Sequence, residues 1–272
     1  MKLDKNYSIQ NHHRRVMSLV QAELGDGVEP LSQKVDEIWK ERANGLPPRC
    51  FMFIYDVKTG NTYRSKGLSI FGLPDSSSIS AFDLMKRVHE NQIRLVFYQT
   101  LRLHEMFISQ PYLMAGPDIV YTTKRGMKIG DGTYWLFHQL GEVLQRDSNG
   151  RVTKYLSTYR AISPYQGEPL ETKIFASDKN PEQQRLIDFA LAEVKKSMLS
   201  VLGFSAKEQS IIQLISERGL SAREIAKKKN RSKSTIENHK LRIMEKARIA
   251  FPLNEFKKTE DVVKYLQEQL II

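Results

Sequence analysis

The chain has 272 residues, 40% of them hydrophobic and 27% charged, so it can bury a sizeable core and has room for two domains. Its single cysteine, Cys50, excludes an internal disulfide and a cysteine-rich zinc site, as suits a reducing compartment. The N-terminal sequence MKLDKNYSIQNHHRRV lacks the apolar core of a signal peptide, and no stretch approaches the ~20 apolar residues that span a bilayer. We therefore expect a cytoplasmic protein with no membrane partner.

Residues 1–46 are predicted to form an N-terminal helical segment, with a helical pattern from about residue 8 to residue 45 in two stretches that Gly25-Asp26-Gly27 separates. The apolar residues that recur at helical spacing are Val16, Leu19, Val20, Leu24, Leu31, Val35, Ile38 and Trp39. The pair His12-His13 lacks a third ligand, so we interpret it as a solvated helix start and predict no metal site. This N-terminal helical segment is expected to pack on the next domain or to take part in a dimer contact.

Residues 47–165 alternate between strand and helix patterns. A hairpin is predicted over 51–57 and 61–65, because Lys58-Thr59-Gly60 is turn chemistry between two β-prone runs. Short helices are expected at 67–72, followed by one helical stretch over 79–109. Three strands are then predicted over 118–129, 133–146 and 151–163, joined by turns at 130–132 and 147–150.

This order of elements is an α+β plan with one antiparallel sheet, and it resembles a PAS domain over residues 47–165. The resemblance is carried by Tyr55-Asp56 to Gly60, Ile70-Phe71-Gly72, Asp131-Gly132-Thr133-Tyr134-Trp135, residues 147–150 and Ala161-Ile162-Ser163. It implies helices that cover one sheet face and a pocket for a small ligand. The candidate pocket residues are Phe53, Tyr55, Phe71, Phe97, Tyr121, Trp135 and Phe137. Aromatic side chains on a half-buried sheet are, however, more often plain core.

No cofactor is assigned from the sequence. The flavin-type light sensors of this class need a cysteine inside an Asn-Cys-Arg-Phe run, which is absent here. A haem ligand would have to be His89, His104 or His138, and a lone histidine in an amphipathic setting is more often satisfied or exposed than axial.

Residues 166–203 are predicted to form a linker. It is polar up to Pro181 and amphipathic over 182–199. The apolar positions of that helix are Leu186, Ile187, Phe189, Ala190, Val194 and Met198. A helix between a sensor and an effector is a route for coupling or a dimer seam, and its shift would change the spacing of two DNA-binding domains.

Residues 204–272 combine helix start signals, periodicity and positive charge. Ser205 with Glu208 and Ser221 with Glu224 form two capping boxes, and Gly219 matches a left-handed helix end. Ser232 caps a third predicted helix whose inner seam is Ile236, Ile243 and Ala247. Residues 204–250 contain twelve Lys or Arg against five Asp or Glu, so they hold most of the net charge of +11. The pattern indicates a helix-turn-helix that binds DNA.

These residues resemble the C-terminal domain of LuxR-type bacterial transcription regulators. The matching positions are Lys207-Glu208, Gly219-Leu220-Ser221, Glu224-Ile225-Ala226, Ser232, Thr235-Ile236, His239, Ile243 and Lys246. The resemblance implies that the third helix enters the major groove of double-stranded DNA and that the last helix, over 259–269, makes a homodimer. It implies base contacts from Glu237, Asn238 and Leu241, and backbone contacts from Lys233, Ser234, Thr235, His239, Lys240 and Arg242.

The sequence departs from that family in two places. Lys229 and Arg231 stand where apolar residues are usual, so either their stems cover the core while the charges reach solvent or phosphate, or the turn packs differently. We favour the first arrangement. The stretch 248–258 before the last helix is also longer than usual, which bears on dimer geometry.

No catalytic constellation accompanies these patterns. The chain has no Gly-rich phosphate loop with Lys-Ser/Thr, no Ser nucleophile elbow and no His-Glu-x-x-His, so we predict that it is not an enzyme. The favoured function is a sequence-specific DNA-binding transcription regulator whose PAS-like domain senses a small ligand or mediates protein contacts. The alternative is a PAS-like binding module whose helical tail docks on protein instead of DNA.

Overall fold

A computed structural model describes residue 18 and residues 31–74, 80–109, 119–176, 181–269 and 271–272. The predicted helix before Gly25 and the pair His12-His13 lie outside the described residues. The second predicted helix of the N-terminal segment is present as α1, Gln33–Asn44, and the side chain of Ser32 caps its first turn.

A six-stranded antiparallel sheet forms the N-terminal domain, in the spatial order β2-β1-β5-β4-β3-β6. Its strands are β1 Cys50–Asp56, β2 Asn61–Lys66, β3 Val120–Lys128, β4 Tyr134–Arg146, β5 Val152–Pro164 and β6 Glu171–Phe175. The predicted hairpin and the predicted three-stranded meander therefore occur at their expected positions. The PAS-like α+β fold prediction is confirmed.

The sixth strand was predicted as part of a polar linker, and that prediction is wrong. Glu171–Phe175 pairs with the outer edge of β3, where Tyr121 lies opposite Ile174. The strand was missed because it is short and polar, and because Ile174 alone among its residues is fully buried. A short polar strand of this kind forms because a neighbouring strand offers it an open edge, and its own sequence pattern does not predict it.

Helices cover both faces of the sheet. On one face, α1 buries Trp39 and Ala43 against Met52, Ile54 and Leu156. On the other face lie a 3-10 turn, Leu68–Phe71, and two helices, α2 Ala81–Met85 and α3 Ile93–Ser109. The apolar cluster beneath them contains Phe51, Phe71 and Phe137.

The single helical stretch predicted over 79–109 is broken in the structure between α2 and α3. The backbone of the break runs beside β3, where His89 N–H donates to Gly126 O at 2.9 Å and Arg87 O accepts from Lys128 N–H at 2.7 Å. This part of the β3 edge lies beyond Lys124, the last residue that pairs with β6. The chain leaves the helix because these sheet hydrogen bonds satisfy an otherwise open edge.

Five helices follow the sheet within the described residues. They are α4 Pro181–Val201, α5 Ala206–Arg218, α6 Ala222–Lys229, α7 Lys233–Ala250 and α8 Thr259–Glu268. One continuous apolar cluster joins Leu95 of α3 to Met198 of α4 and to Ile212 of α5. The amide of Asn91 also donates to Asn254 Oδ1 at 2.5 Å, so the helical domain is held against the sheet domain.

Candidate nucleic-acid interface and ligand cavity

The two predicted capping boxes are present in full. Ser205 Oγ accepts from Glu208 N–H while Glu208 Oε2 accepts from Ser205 N–H at 2.7 Å, and Ser221 and Glu224 repeat the arrangement. Each box satisfies two backbone donors that a helix start would otherwise leave open. These local bonds set where α5 and α6 begin.

The turn before α7 is formed by a left-handed residue. Asn230 has φ of 49° and ends α6, and its N–H donates to backbone oxygens of that helix. Ser232 then caps α7 by accepting from Thr235 N–H at 3.1 Å. Lys229 and Arg231 are both exposed, and Lys229 Nζ donates to Ser210 Oγ, so the charges of the two unusual residues are held outside the core.

The inner seam of α7 is buried as predicted. Ile243 and Ala247 have no exposed surface and Ile236 is 2% exposed, packed in the same cluster as Ile225 and Leu266. A methyl-rich seam on one side of a helix leaves its opposite side free for a partner. The side of α7 opposite this seam carries the exposed residues Lys233, Glu237, Asn238 and Leu241.

One ion pair ties α5 to α7. Lys246 Nζ lies 2.5 Å from Glu208 Oε2, and the Glu208 side chain is only 3% exposed. Burial would raise the pKa of Glu208, but the hydrogen bonds from Lys246 and Ser205 outweigh it and leave the pKa below its ordinary value. The carboxylate thus fixes α7 against α5, the first helix of the domain.

The predicted DNA-contacting residues lie along the outer side of α7. Lys233, Ser234, Glu237, Asn238, Leu241 and Arg242 are exposed, whereas Thr235, His239 and Lys240 are partly buried. Leu241 is 54% exposed, so its side chain is accessible to a partner. Lys240 Nζ lies 2.8 Å from Glu260 Oε1 of α8, so this ion pair joins α7 to the last helix.

A cavity of about 130 Å³ lies between the sheet and the helices α2 and α3. Its lining is mainly apolar, with a cluster of polar side chains on the strands. The apolar residues on the helix side are Leu84, Met85, Val88, Val96 and Leu103, beside the polar Gln99, Thr100 and His104, and the polar strand residues include Tyr121, Thr123, Arg125, Gln139, Ser157 and Tyr159. The volume is close to that of the ~150 Å³ cavities that bind benzene.

A hydrogen-bond network organises the polar side of the cavity. Gln139 Oε1 accepts from Arg125 Nη2 and from Thr123 Oγ1, and Gln139 Nε2 donates to Tyr121 Oη at 2.9 Å and to Ser157 Oγ at 3.0 Å. Arg125 also donates to Tyr159 Oη. Burial raises the pKa of the Tyr121 and Tyr159 hydroxyls, so both stay protonated.

Three of the seven predicted pocket residues, Phe53, Tyr55 and Tyr121, line this cavity. Phe71 and Phe137 are fully buried in the neighbouring core, and Trp135 packs under the guanidinium of Arg49 at 5.0 Å. Phe97 lies on α3 outside the lining. His104 does line it, with Nδ1 2.7 Å from Thr100 O and Nε2 3.3 Å from Tyr155 Oη.

The prediction from the sequence named only aromatic residues, so it left out the polar side chains of the cavity wall. Tyr121, Thr123 and Arg125 alternate along β3, which places them on one sheet face. Ser157 lies on the same face between Tyr155 and Tyr159 of β5. The sequence signal for this lining was a set of polar residues at every second position of a strand whose face is covered by helices.

A second cavity, of about 250 Å³, lies between the sheet domain and the helical domain. It shares the wall residues Gln99, Leu170 and Thr172 with the first cavity and is bounded on its far side by Met198 and Gln269. A single layer of side chains therefore separates the ligand-sized cavity from the contact between the domains. In the described part of the chain, no group of acidic, histidine or cysteine side chains has the arrangement of a metal site, and no helix is long and apolar enough to cross a membrane.

Comparison with known proteins identifies the C-terminal helices. Residues 202–250 match the bacterial regulatory proteins of the luxR family. No curated protein matches the chain. Solved structures that resemble it include a PAS domain from Colwellia psychrerythraea, which is 16% identical over 46% of this chain and 98% of that one, with a TM-score of 0.33.

Two further structures extend over both domains. The phage VqmA in complex with DPO is 13% identical over 88% of this chain and 90% of that one, with a TM-score of 0.30. The Vibrio cholerae VqmA dimer is 14% identical over 89% of each chain, with a TM-score of 0.29. Residues 202–250 of this chain form a luxR-type helix-turn-helix domain, and the chain is a DNA-binding transcription regulator with a PAS-like N-terminal domain.

Proposed function

We propose that this regulator reads its DNA site with Glu237, Asn238 and Leu241. The single observation that supports this most strongly is that these three side chains, one acidic, one amide and one apolar, are all exposed within one turn of α7. An asparagine amide bonds an adenine edge with two hydrogen bonds, a glutamate accepts from cytosine, and a leucine contacts a thymine methyl. Backbone contacts then come from Lys233, Ser234, Thr235, His239 and Arg242, with Lys240 joining them when it exchanges Glu260 for a phosphate.

The regulator is proposed to act in the cytoplasm as a homodimer. Leu186 and Phe189 of α4 are 44% and 66% exposed, and Phe175 of the adjoining strand β6 is 47% exposed. An amphipathic helix that keeps large apolar residues in water is stabilised when a second copy covers them. A symmetric contact between two copies would also place two recognition helices on one DNA duplex.

The PAS-like domain is proposed to bind a small ligand in the 130 Å³ cavity. Because Leu170 and Thr172 belong to the walls of both cavities, a ligand that moves this wall also changes the packing at Met198 and Gln269. Binding would then shift the population of the docked arrangement of the helical domain. This is the coupling that a ligand-responsive regulator requires.

Substitution of Asn238 by alanine tests the DNA-reading proposal. The DNA site is first selected from random duplexes with the full chain, and affinities are then measured by fluorescence anisotropy over a salt series. Asn238→Ala should cost about 1–3 kcal/mol on the selected site and little on random DNA. Glu245→Ala, which removes an exposed side chain elsewhere on the same helix, is the control and should leave the discrimination intact.

Two results would contradict the proposal. Equal losses on selected and random DNA would show that Asn238 does not read a base. An affinity that does not fall with rising salt would show that phosphate contacts are absent and would favour a helical domain that docks on protein.

A further inference from the structure

Arg125 is a buried cation whose charge is not balanced by a carboxylate in the described part of the chain. The residue is 6% exposed, and no ion pair within the described ranges includes it. Its Nη2 donates to two neutral oxygens, Gln139 Oε1 and Tyr159 Oη. Its Nε is buried and has no hydrogen-bond partner.

On the opposite face of the same sheet, a buried cation is paired with a carboxylate. Lys154 is fully buried there, and its Nζ lies 3.2 Å from the carboxylate of Asp56. Buried arginine is rare without a paired acid, and a guanidinium cannot escape the cost by losing its proton. Among the described residues, the Arg125 guanidinium is stabilised by neutral oxygens and by the face of the Tyr159 ring at 5.3 Å but by no carboxylate, and it lies in the wall of a cavity.

The geometry of Arg125 leaves the Nη1 group of its guanidinium for a ligand. Gln139 and Tyr159 take both donors of Nη2, and the Gln139 amide is itself fixed by Thr123, Tyr121 and Ser157. Nε is buried, whereas Nη1 has no hydrogen-bond partner among the described residues and is not among the buried unpaired atoms. A hydrogen bond from Nη1 to a carboxylate oxygen would be charge-assisted, and the side chain that makes it is already held in place.

We propose that the cavity binds a small organic monocarboxylate, with an apolar body of about the size of a benzene ring, and that Arg125 is its counter-ion. The apolar body packs against Leu84, Val96 and Leu103 on the helix side, and the carboxylate completes the donors of Arg125 on the strand side. One cation among otherwise neutral polar groups balances one negative charge, which disfavours dianions such as phosphate monoesters. The proposal rests on the ligand-binding function proposed above and specifies its chemical class.

Matched pairs of acids and amides test the proposal on the full-length protein. Acetate, butyrate and benzoate are each compared with acetamide, butyramide and benzamide by isothermal titration calorimetry and by thermal melting. For the wild-type protein, benzoate should bind at least tenfold more tightly than benzamide and raise the melting temperature. In Arg125→Met, which keeps most of the side-chain volume but removes the charge, this preference should vanish.

Two further variants keep the result interpretable. Arg42→Met removes an exposed guanidinium on α1 and should leave the preference unchanged. Arg125→Lys keeps the charge but loses the planar guanidinium and its several donors, so it should retain the preference for acids with weaker binding, and it serves if Arg125→Met does not fold.

The outcomes separate this proposal from the broader ligand-binding function. If amides bind wild-type protein as tightly as their acids, Arg125 is not a counter-ion and the proposal is overturned, while ligand binding stands. If no acid binds, the proposal is likewise overturned. Native mass spectra of the purified protein then decide the broader function, because a bound neutral compound would preserve it and a bare chain would contradict it too.

Discussion

Lys154 and Asp56 form an ion pair in the interior of the protein, with Nζ and Oδ2 3.2 Å apart and side chains that are 0% and 3% exposed. They lie on neighbouring strands, opposite one another in the register of β1 and β5. Asp56 Oδ1 also accepts from Thr59 N–H, so the same carboxylate closes the hairpin turn. The pair links a local turn to the centre of the sheet.

Asp56→Asn should destabilise the protein by about 3–5 kcal/mol, because it leaves the Lys154 charge buried without a partner. Asparagine keeps an oxygen for Thr59, so the turn itself is preserved. The free energy of unfolding in urea is the measurement. Glu37→Gln, at an exposed carboxylate on α1, is the control and should change stability by less than about 0.5 kcal/mol.

The double variant Asp56→Leu with Lys154→Met sharpens this prediction. It should be more stable than Asp56→Asn, because the two changes remove both charges together. A double variant as unstable as the single one would show that the loss comes from packing and not from an isolated charge.

Glu208 should contribute stability that depends on pH. Its pKa is held below the ordinary value of 4.5 in the folded protein, so the folded state favours the ionised form. The contribution is therefore complete above pH 4.5 and is lost as the pH falls through the lower, folded-state pKa. We expect the difference in unfolding free energy between the wild type and Glu208→Gln to be constant near neutral pH and to shrink in acid.

The control for this measurement is Glu245→Gln, which removes an exposed carboxylate from α7. It should change neither the stability at neutral pH nor its acid dependence appreciably. A Glu208→Gln variant whose deficit grows as the pH falls would contradict the assigned direction of the pKa shift.

Gly141 makes room for the Tyr121 ring in the cavity wall. The two residues lie opposite each other on β4 and β3, and a Cβ at position 141 would come within 1.8 Å of the ring. Gly141→Ala should displace Tyr121 from Ser157 and Gln139 and destabilise the protein by about 1–3 kcal/mol. Chemical denaturation measures this loss, and calorimetry should show weaker ligand binding.

A double-mutant cycle tests that explanation directly. Gly141→Ala combined with Tyr121→Ala should cost less than the sum of the two single changes, because the clash requires the ring. Additive losses would show that Gly141→Ala does not destabilise the protein through a clash with the Tyr121 ring.

Asn91 should control how firmly the helical domain docks on the sheet domain. Its side chain donates to Asn254 Oδ1 and accepts from Leu253 N–H, so Asn91→Ala leaves partners unsatisfied at the contact. We expect a loss of about 1–3 kcal/mol and faster hydrogen exchange over 251–258. Exchange in the strands should not change.

The matched control is Asn149→Ala, in the exposed turn between β4 and β5. It should leave exchange over 251–258 as in the wild type. If Asn91→Ala accelerates exchange equally in the strands, its effect is on global stability and not on domain docking.

The sequence by itself determined the start and end of the helices in the helix-turn-helix domain. Ser205, Ser221 and Ser232 cap their helices, and Gly219 ends one in the left-handed region, as predicted. Capping joins residues three apart, so its chemistry is complete within one turn of chain and needs no distant partner. The hairpin turns of the sheet were predictable for the same reason.

Tertiary structure alone decided the features that depend on distant partners. Glu171–Phe175 is a strand because β3 offers it an edge, and the helix predicted over 79–109 breaks because residues 87–89 bond to the same strand further along. The candidate ligand site follows the same rule, since Arg125, Gln139 and Tyr159 come from three different strands. Whether such a polar residue faces water or a closed cavity depends on which helix covers its sheet face, and residues far away in the chain decide that.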